Sequence, residues 1–430
     1  MSAEVTVLIY SEFYDPKLDY SFDFIFKHHF AWTYNICTDA ESFLNTEADI
    51  KISYGANFTH EGLSIPCSSY FNRFDLHREP EFELRLSFHK RTCEFDFIAA
   101  VFFLLARVEE YRDNKRDEHN RFKIEDAGLF KKGVIKHPVI NYWLDALKEE
   151  IERVYGIKPN DEKNYRFLST LDIDHIYAYR NKPLFLQTLS LGKDLMRLAF
   201  NRIRDRLKTK DPYDSYDQII QWHKDLGIDA IVFMLCSQRG KYDKNLNPDS
   251  ESFQEVSRQL DTFFELAWHP SYASSGRLAH LRKEKMILES VLSRPIEKSR
   301  QHYLRFVLPD YYRALIEAGI TEEFSMGHHE TIGFRSGYAG TFFWYDLMAD
   351  EKTDLLIVPF QVMDVTLKKY MALSPEEALK ECKLLIDRVY SVKGLFSLIW
   401  HNSSFYETES WIHWDKVYFE LLKYAADRHK

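Results

Sequence analysis

The chain has 430 residues, 45% hydrophobic and 29% charged, an ordinary globular composition at a length that favours two hydrophobic cores over one. A formal net charge of −9 excludes an overall basic field for nucleic acid. Five scattered cysteines without a CxxC pair argue against a disulfide framework and a thiolate zinc site, and they suit a reducing compartment.

The opening MSAEVTVLIYSEFYD has no basic segment followed by a long apolar run, and no stretch reaches the ~20 apolar residues of a membrane helix. A cytoplasmic location is the expectation. Residues 5–10 and 50–54 read as strands. Residues 95–111, apolar nearly all round, predict a buried helix with a polar tip. Residues 113–120 are almost wholly polar and read as a loop, and 139–154 predict an amphipathic helix. Gly, Pro and charge over 155–164 then mark a boundary between a smaller mixed α/β domain, 1–160, and a second domain, 161–430.

Beyond the boundary, apolar runs of strand length alternate with amphipathic stretches. The strand candidates are 167–171, 230–235, 266–269, 300–306, 320–326, 355–363 and 395–400, with helices such as 278–292 and 375–389 between them. This alternation predicts βαβ units and a parallel sheet, and seven units can close into a (β/α)7 barrel. In such barrels the reactive groups sit at the C-terminal ends of the strands.

Between Arg180 and Lys210 nine Lys/Arg face two acids, a local charge of +7. Leu184, Leu191, Leu195, Leu198, Phe200, Ile203 and Leu207 add an apolar face. The plainer reading is a solvated basic helix packed on the barrel. The other is a helix lying on an anionic membrane surface, a peripheral contact through 180–210.

Four segments carry candidate chemistry. In Ser169-Thr170-Leu171-Asp172-Ile173-Asp174-His175 an apolar strand runs into two aspartates at i and i+2, which share a face about 6.5 Å apart. A divalent cation relieves that repulsion, with one carboxylate as ligand and the other as proton acceptor. The plain alternative is a polar loop capping the next helix. In Trp268-His269-Pro270, His269 leaves a strand end and can ligate a metal, or is an idle His at a Pro turn. In Arg300-Gln301-His302 the first and third side chains share a strand face, and Arg300 can orient a carboxylate. His401 ends the run Leu398-Ile399-Trp400 and can act as a general acid or be a satisfied core histidine. Asp364, closing another strand, can also reach the cavity, and Gly333-Phe334-Arg335-Ser336-Gly337 reads as a loop lining it. There is no nucleotide-binding glycine motif and no GxSxG elbow.

The order TLDID, HPSYAS, SRQHYLR, GFRSG, IWHN resembles the polysaccharide deacetylase (NodB-homology, carbohydrate esterase family four) superfamily over about 165–405, in a branch with an extra N-terminal domain. The 1–160 region, including ARVEEY and HNRF (119–122), is similar to the domain that accompanies that branch. The resemblance implies a distorted (β/α)7 barrel and a divalent ion, zinc first, held by Asp174 and His269. It implies Asp172 as general base, Arg300 as the group positioning it, and His401 as the acid that protonates the departing amine. The superfamily's second metal histidine falls on Ala273, which cannot ligate; His302 is the first candidate to replace it and His175 the second. The implied reaction is removal of an N-acetyl or other acyl group from an amino sugar or polysaccharide precursor. Two alternatives stand beside it. One is an inactive barrel that binds a glycan or a partner, which Ala273 favours. The other is a glycosidase built on Asp172 and Asp364, whose carboxyls must lie ~5–9.5 Å apart.

Overall fold

The computed structural model describes residues 5–56, 58, 60–112, 115–158, 164–182, 184–207, 210–406 and 411–429. Part of the loop expected at 113–120, the middle of the boundary segment (159–163) and Lys208 of the basic insertion lie outside them.

The N-terminal region is a six-stranded sheet, β1 (Thr6–Ser11), β2 (Thr33–Cys37), β3 (Ile50–Tyr54), β4 (Leu63–Ile65), β5 (Phe88–His89) and β6 (Thr92–Cys93), in the order β2-β1-β3-β4-β6-β5. Only the β5–β6 pair is antiparallel. The helix expected over 95–111 spans Phe97–Leu105, and all nine residues are buried. It stops early because Arg107 takes a left-handed φ of 55° and a 3-10 turn, Val108–Tyr111, follows. The amphipathic helix runs Val139–Tyr155 and ends on Gly156 at φ 68°, a left-handed terminus that suits glycine.

The second region is a nine-stranded sheet of β7 (Arg166–Ile173), β8 (Ala230–Leu235), β9 (Glu265–His269), β10 (Lys298–Ser299), β11 (Glu322–Glu323), β12 (Phe342–Asp346), β13 (Glu351–Ile357), β14 (Val362–Met363) and β15 (Leu395–His401). Its order is β12-β13-β11-β10-β9-β8-β7-β15-β14, parallel except for β12 against β13. The run 358–361 closes the ring. Val358 N donates to Glu323 O at 2.8 Å, Phe360 N to Met326 O at 3.1 Å, and Gln361 N crosses to Ser397 O at 2.9 Å. With β13 and β14 as one broken stave at Pro359, seven parallel staves form the barrel. Alternation decides what fills it: Ile231 and Phe233 of β8 meet Ala267, Phe324, Val358 and Leu395 inside, whereas Val232 and Met234 face the outer core.

Two strand expectations shift. The strand expected at 300–306 is β10, two residues earlier. Its ladder still extends through Arg300 N to Trp268 O and His302 N to Pro270 O, both 3.0 Å. It then breaks because Tyr303 and Leu304 adopt φ of 63° and 52°. The strand expected at 320–326 is regular only at Glu322–Glu323.

The two regions share one continuous core. Tyr20 Oη donates to Phe343 O at 2.7 Å, Ile140 N to Gly337 O at 3.0 Å, and Phe334 N to Ile135 O at 2.8 Å. The GFRSG loop therefore joins the regions instead of lining the cleft. Arg335 donates twice to Glu110 (2.9 and 2.6 Å) and once to Gly327 O (2.9 Å). Arg107 clasps Glu110 (2.7 Å), Glu109 (2.6 Å) and the Arg335 carbonyl.

The basic insertion is a helical hairpin, Leu184–Met196 and Phe200–Arg206, between β7 and β8. The plainer reading, packing of its apolar face on the barrel, is not what most of that face does: Leu191, Leu195, Leu198, Phe200 and Leu207 are exposed, as are Phe185, Leu189 and Met196, while Ile203 is half-buried. No helix among the described residues is long and apolar enough to cross a membrane.

Candidate active site

Parallel staves deliver their C-terminal ends to one rim, so the ends of β7, β9, β10 and β15 meet there. Asp172 is the last but one residue of β7 and Asp174 follows the strand, both on the cavity side as the i, i+2 spacing requires. A cleft of about 510 Å³ opens at this rim, with Asp172, Asp174, His175, His269, His302 and His401 in its wall.

Asp174 is the hub. Its Oδ1 lies 3.2 Å from His269 Nε2; its Oδ2 lies 3.5 Å from His302 Nε2 and 3.8 Å from His401 Nε2. Asp174, His269 and His302 each offer one ligand atom, all within 4.8 Å of one another. Burial alone would raise the Asp174 pKa, but the imidazoles of His302 and His401 hold it well below the usual carboxylate range.

Each histidine is oriented from behind. His269 Nδ1 lies 2.5 Å from the Arg300 carbonyl, which only accepts, so Nδ1 carries the proton and the Nε2 lone pair faces Asp174. His302 Nδ1 donates to Asp243 Oδ1 at 2.8 Å, and the same oxygen accepts Tyr272 N at 2.8 Å. His401 Nδ1 donates to Asp364 Oδ1 at 2.7 Å, and its backbone N to Oδ2 at 2.9 Å. Burial opposes protonation of His302 and His401. Asp174 and Asp243 push His302 up to about 9, and Asp364, Asp174 and Asp172 push His401 up to about 10. Asp364 is fully buried behind His401 and is not part of the cleft wall, so it is unavailable as the second carboxylate of a glycosidase.

Arg300 is fully buried and reaches across the barrel interior. Its Nη1 donates to Asp172 Oδ1 and Thr170 Oγ1, both at 2.8 Å; its Nε donates to Phe324 O at 3.1 Å, and the guanidinium lies 4.2 Å above the Phe233 ring. These contacts fix Asp172 Oδ1 and leave Oδ2 directed at the cavity, 3.8 Å from His269 Nε2.

The group fits a divalent cation on the chain's own geometry. With the His269 proton on Nδ1, buried Asp174 Oδ1 and His269 Nε2 face each other at 3.2 Å without a donor, where buried polar atoms are nearly always satisfied. The donor set of two imidazoles and a carboxylate, with imidazole protons held by a carbonyl and a carboxylate, is one zinc accepts. His175 borders the cleft but stands outside this group, with burial pushing it down to about 4. Ala273 is exposed in the turn after Pro270.

Sequence reasoning missed Asp243, which sits in an unremarkable polar loop and is recognised only through His302. It also missed the part played by the N-terminal region. Arg121, within HNRF, borders the cleft. Asp117 holds its Nε at 2.7 Å, and its Nη1 and Nη2 lie 3.3 Å from the Tyr303 carbonyl and 3.4 Å from Tyr370 Oη. Tyr303 thus has its left-handed backbone pinned from the other region, a strained geometry of the kind that collects at functional sites.

Residues 7–156 match a family of unknown function (DUF7033). No curated protein matches the chain. Among solved structures, the chain is similar to a protein assigned as a polysaccharide deacetylase from Mycobacterium smegmatis, at 12% identity and a TM-score of 0.41, covering 62% of this chain and 85% of that one. A second protein so assigned, from Pseudomonas aeruginosa PAO1, gives 12% and 0.39 over 64% and 90%. The 4-α-glucanotransferase of Thermococcus litoralis gives 12% and 0.37 over 62% and 37%. At such scores the likeness adds nothing to the chemistry, which rests on the site.

Proposed function

We propose that the chain is a metal-dependent carbohydrate deacylase that removes an N-acetyl or similar acyl group from an amino sugar or polysaccharide precursor. The observation that carries this reading is a buried ligand group (Asp174, His269, His302), with Asp174 Oδ1 and His269 Nε2 lacking a donor, beside an oriented base, Asp172, and acid, His401. Asp174, His269 and His302 would hold a divalent cation, zinc in the first instance. When bound, such an ion supplies Lewis-acid polarisation and eases deprotonation of water.

The remaining work belongs to the chain. Asp172, its Oδ1 fixed by Arg300, presents Oδ2 to take a proton from the attacking water. His401 is positively charged at neutral pH because Asp364 backs it, so it can protonate the amine as the carbon–nitrogen bond breaks. Arg300 holds Asp172 in place. Tyr303, Tyr370, Tyr213 and Trp411 give the cleft aromatic faces suited to a sugar ring.

Ala273 favours the second reading, an inactive barrel that binds a glycan. Incubation of the zinc-loaded chain with N-acetylated glucosamine oligomers decides between them. Acetate release that Asp172→Asn lowers by roughly 10²–10⁴, the worth of a general base, supports the enzyme. Oligomer binding with no acetate from the parent chain supports the inactive barrel.

A further inference from the structure

Among the described residues, the hairpin Leu184–Met196 and Phe200–Arg206 gathers on one short element large apolar side chains that stand in water. Phe185, Met196, Leu198, Phe200 and Leu207 are 67–83% exposed. Scattered exposed apolar residues are ordinary, but a cluster of this density on one short element marks an interaction surface. The hairpin is nevertheless built. Asp194 is buried and accepts Arg206 Nη2 at 2.6 Å, which ties the second helix to the first, and the Arg206 guanidinium lies 4.1 Å above the Tyr179 ring. Asp211 anchors the base, accepting the backbone N–H groups of Ala178, Tyr179 and Arg180 at 2.7–3.0 Å.

Charge indicates what covers this face. The segment 180–210 carries +7 in a chain of −9, which leaves the remaining residues at −16. Lys193, Arg197, Arg202 and Arg204 are exposed among the apolar side chains. A second copy of so acidic a chain would meet the basic charge anywhere on its surface and offers no reason for the apolar cluster beside it. Basic and apolar groups interleaved on a short helical element match the headgroup and upper acyl layer of an anionic bilayer. The hairpin also springs from the rim of the cleft, since His175 before it and Tyr213 after it both border the cavity.

We infer that the hairpin docks the chain peripherally on anionic membrane, bringing the cleft mouth to the lipid surface. Resting on the deacylase reading, this makes a sugar carried on a lipid the matching substrate class.

The test is co-sedimentation of the full chain with vesicles of phosphatidylcholine, with or without phosphatidylglycerol. The parent pellets with the phosphatidylglycerol vesicles and is released as salt rises. Replacing Lys193, Arg197 and Arg204 by Ser weakens binding roughly fivefold per residue. Replacing Leu195, Met196 and Phe200 by Ser, all exposed, abolishes pelleting while circular dichroism and zinc binding are unchanged. A parent that stays in the supernatant at low salt, or an apolar variant that pellets as the parent does, overturns the inference. So does a parent dimer that the apolar variant dissociates without any vesicle binding, which assigns the face to a second copy. Pelleting needs no turnover, so failure here leaves the reading of the cleft standing, and an inactive cleft leaves the docking surface standing.

Discussion

Two of the buried clusters of charge among the described residues are built on opposite rules. At the junction of the two regions, Arg107, Glu109, Glu110 and Arg335 form a closed set in which the guanidinium nitrogens meet carboxylate or carbonyl oxygens and Gly128 N takes Glu109 Oε2 at 2.8 Å. At the barrel rim, Asp174 Oδ1 and His269 Nε2 are buried 3.2 Å apart, and with the His269 proton on Nδ1 they face each other without a donor. Satisfied buried charge holds structure together, and unsatisfied buried charge is costly unless a ligand completes it. The contrast sets a junction that needs no ligand against a rim that one would complete.

The comparison can be broken at either end. The largest effect is expected from Asp172→Asn, roughly 10²–10⁴ in turnover with zinc binding retained, read as acetate release beside a metal titration. At the junction, Arg335→Ala leaves Glu110 with Arg107 but without its two Arg335 bonds and should cost about 3 kcal/mol, read by denaturant unfolding. Burial opposes ionisation of Glu110, but Arg335 and Arg107 bring its pKa down from the ordinary 4.5 to about 2. The stability this contributes is complete above about pH 4.5 and is lost as pH falls toward 2. Glu110→Gln should flatten that part of the stability–pH curve; an unaltered acid limb would show that the network does not set it. Asp243→Asn, which alters the support of His302 and of the Tyr272 backbone, should weaken zinc roughly 10–100-fold. Arg121→Ala should raise KM roughly tenfold, the worth of a charged hydrogen bond, with zinc affinity and kcat little changed. The smallest effect belongs to Ala273→His: an exposed side chain should leave zinc affinity where it was, and a marked gain would mean that the turn after Pro270 reaches the site.

Much of the barrel was legible because buried parallel strands and amphipathic helices write different periods, and helix 278–292 matches Leu278–Leu292 residue for residue. Asp172, Asp174, His269, Arg300, His302 and His401, far apart in sequence, do converge because strand ends meet at one rim. The register of 300–306 was misplaced because an apolar run does not reveal the left-handed turn at Tyr303 and Leu304. The GFRSG loop was misassigned because Arg335 pairs with Glu110, 225 positions away, and no local pattern encodes that partner. Arg121 was invisible for the same reason: its place in the cleft depends on how the two regions pack.

Zinc titration of the metal-free chain, followed calorimetrically, tests the central claim most directly. One equivalent per chain for the parent, with affinity falling sharply in His302→Ala and in Asp174→Asn, is the expected result. Uptake below ~0.1 equivalent, or parent-like affinity in both variants, would contradict it.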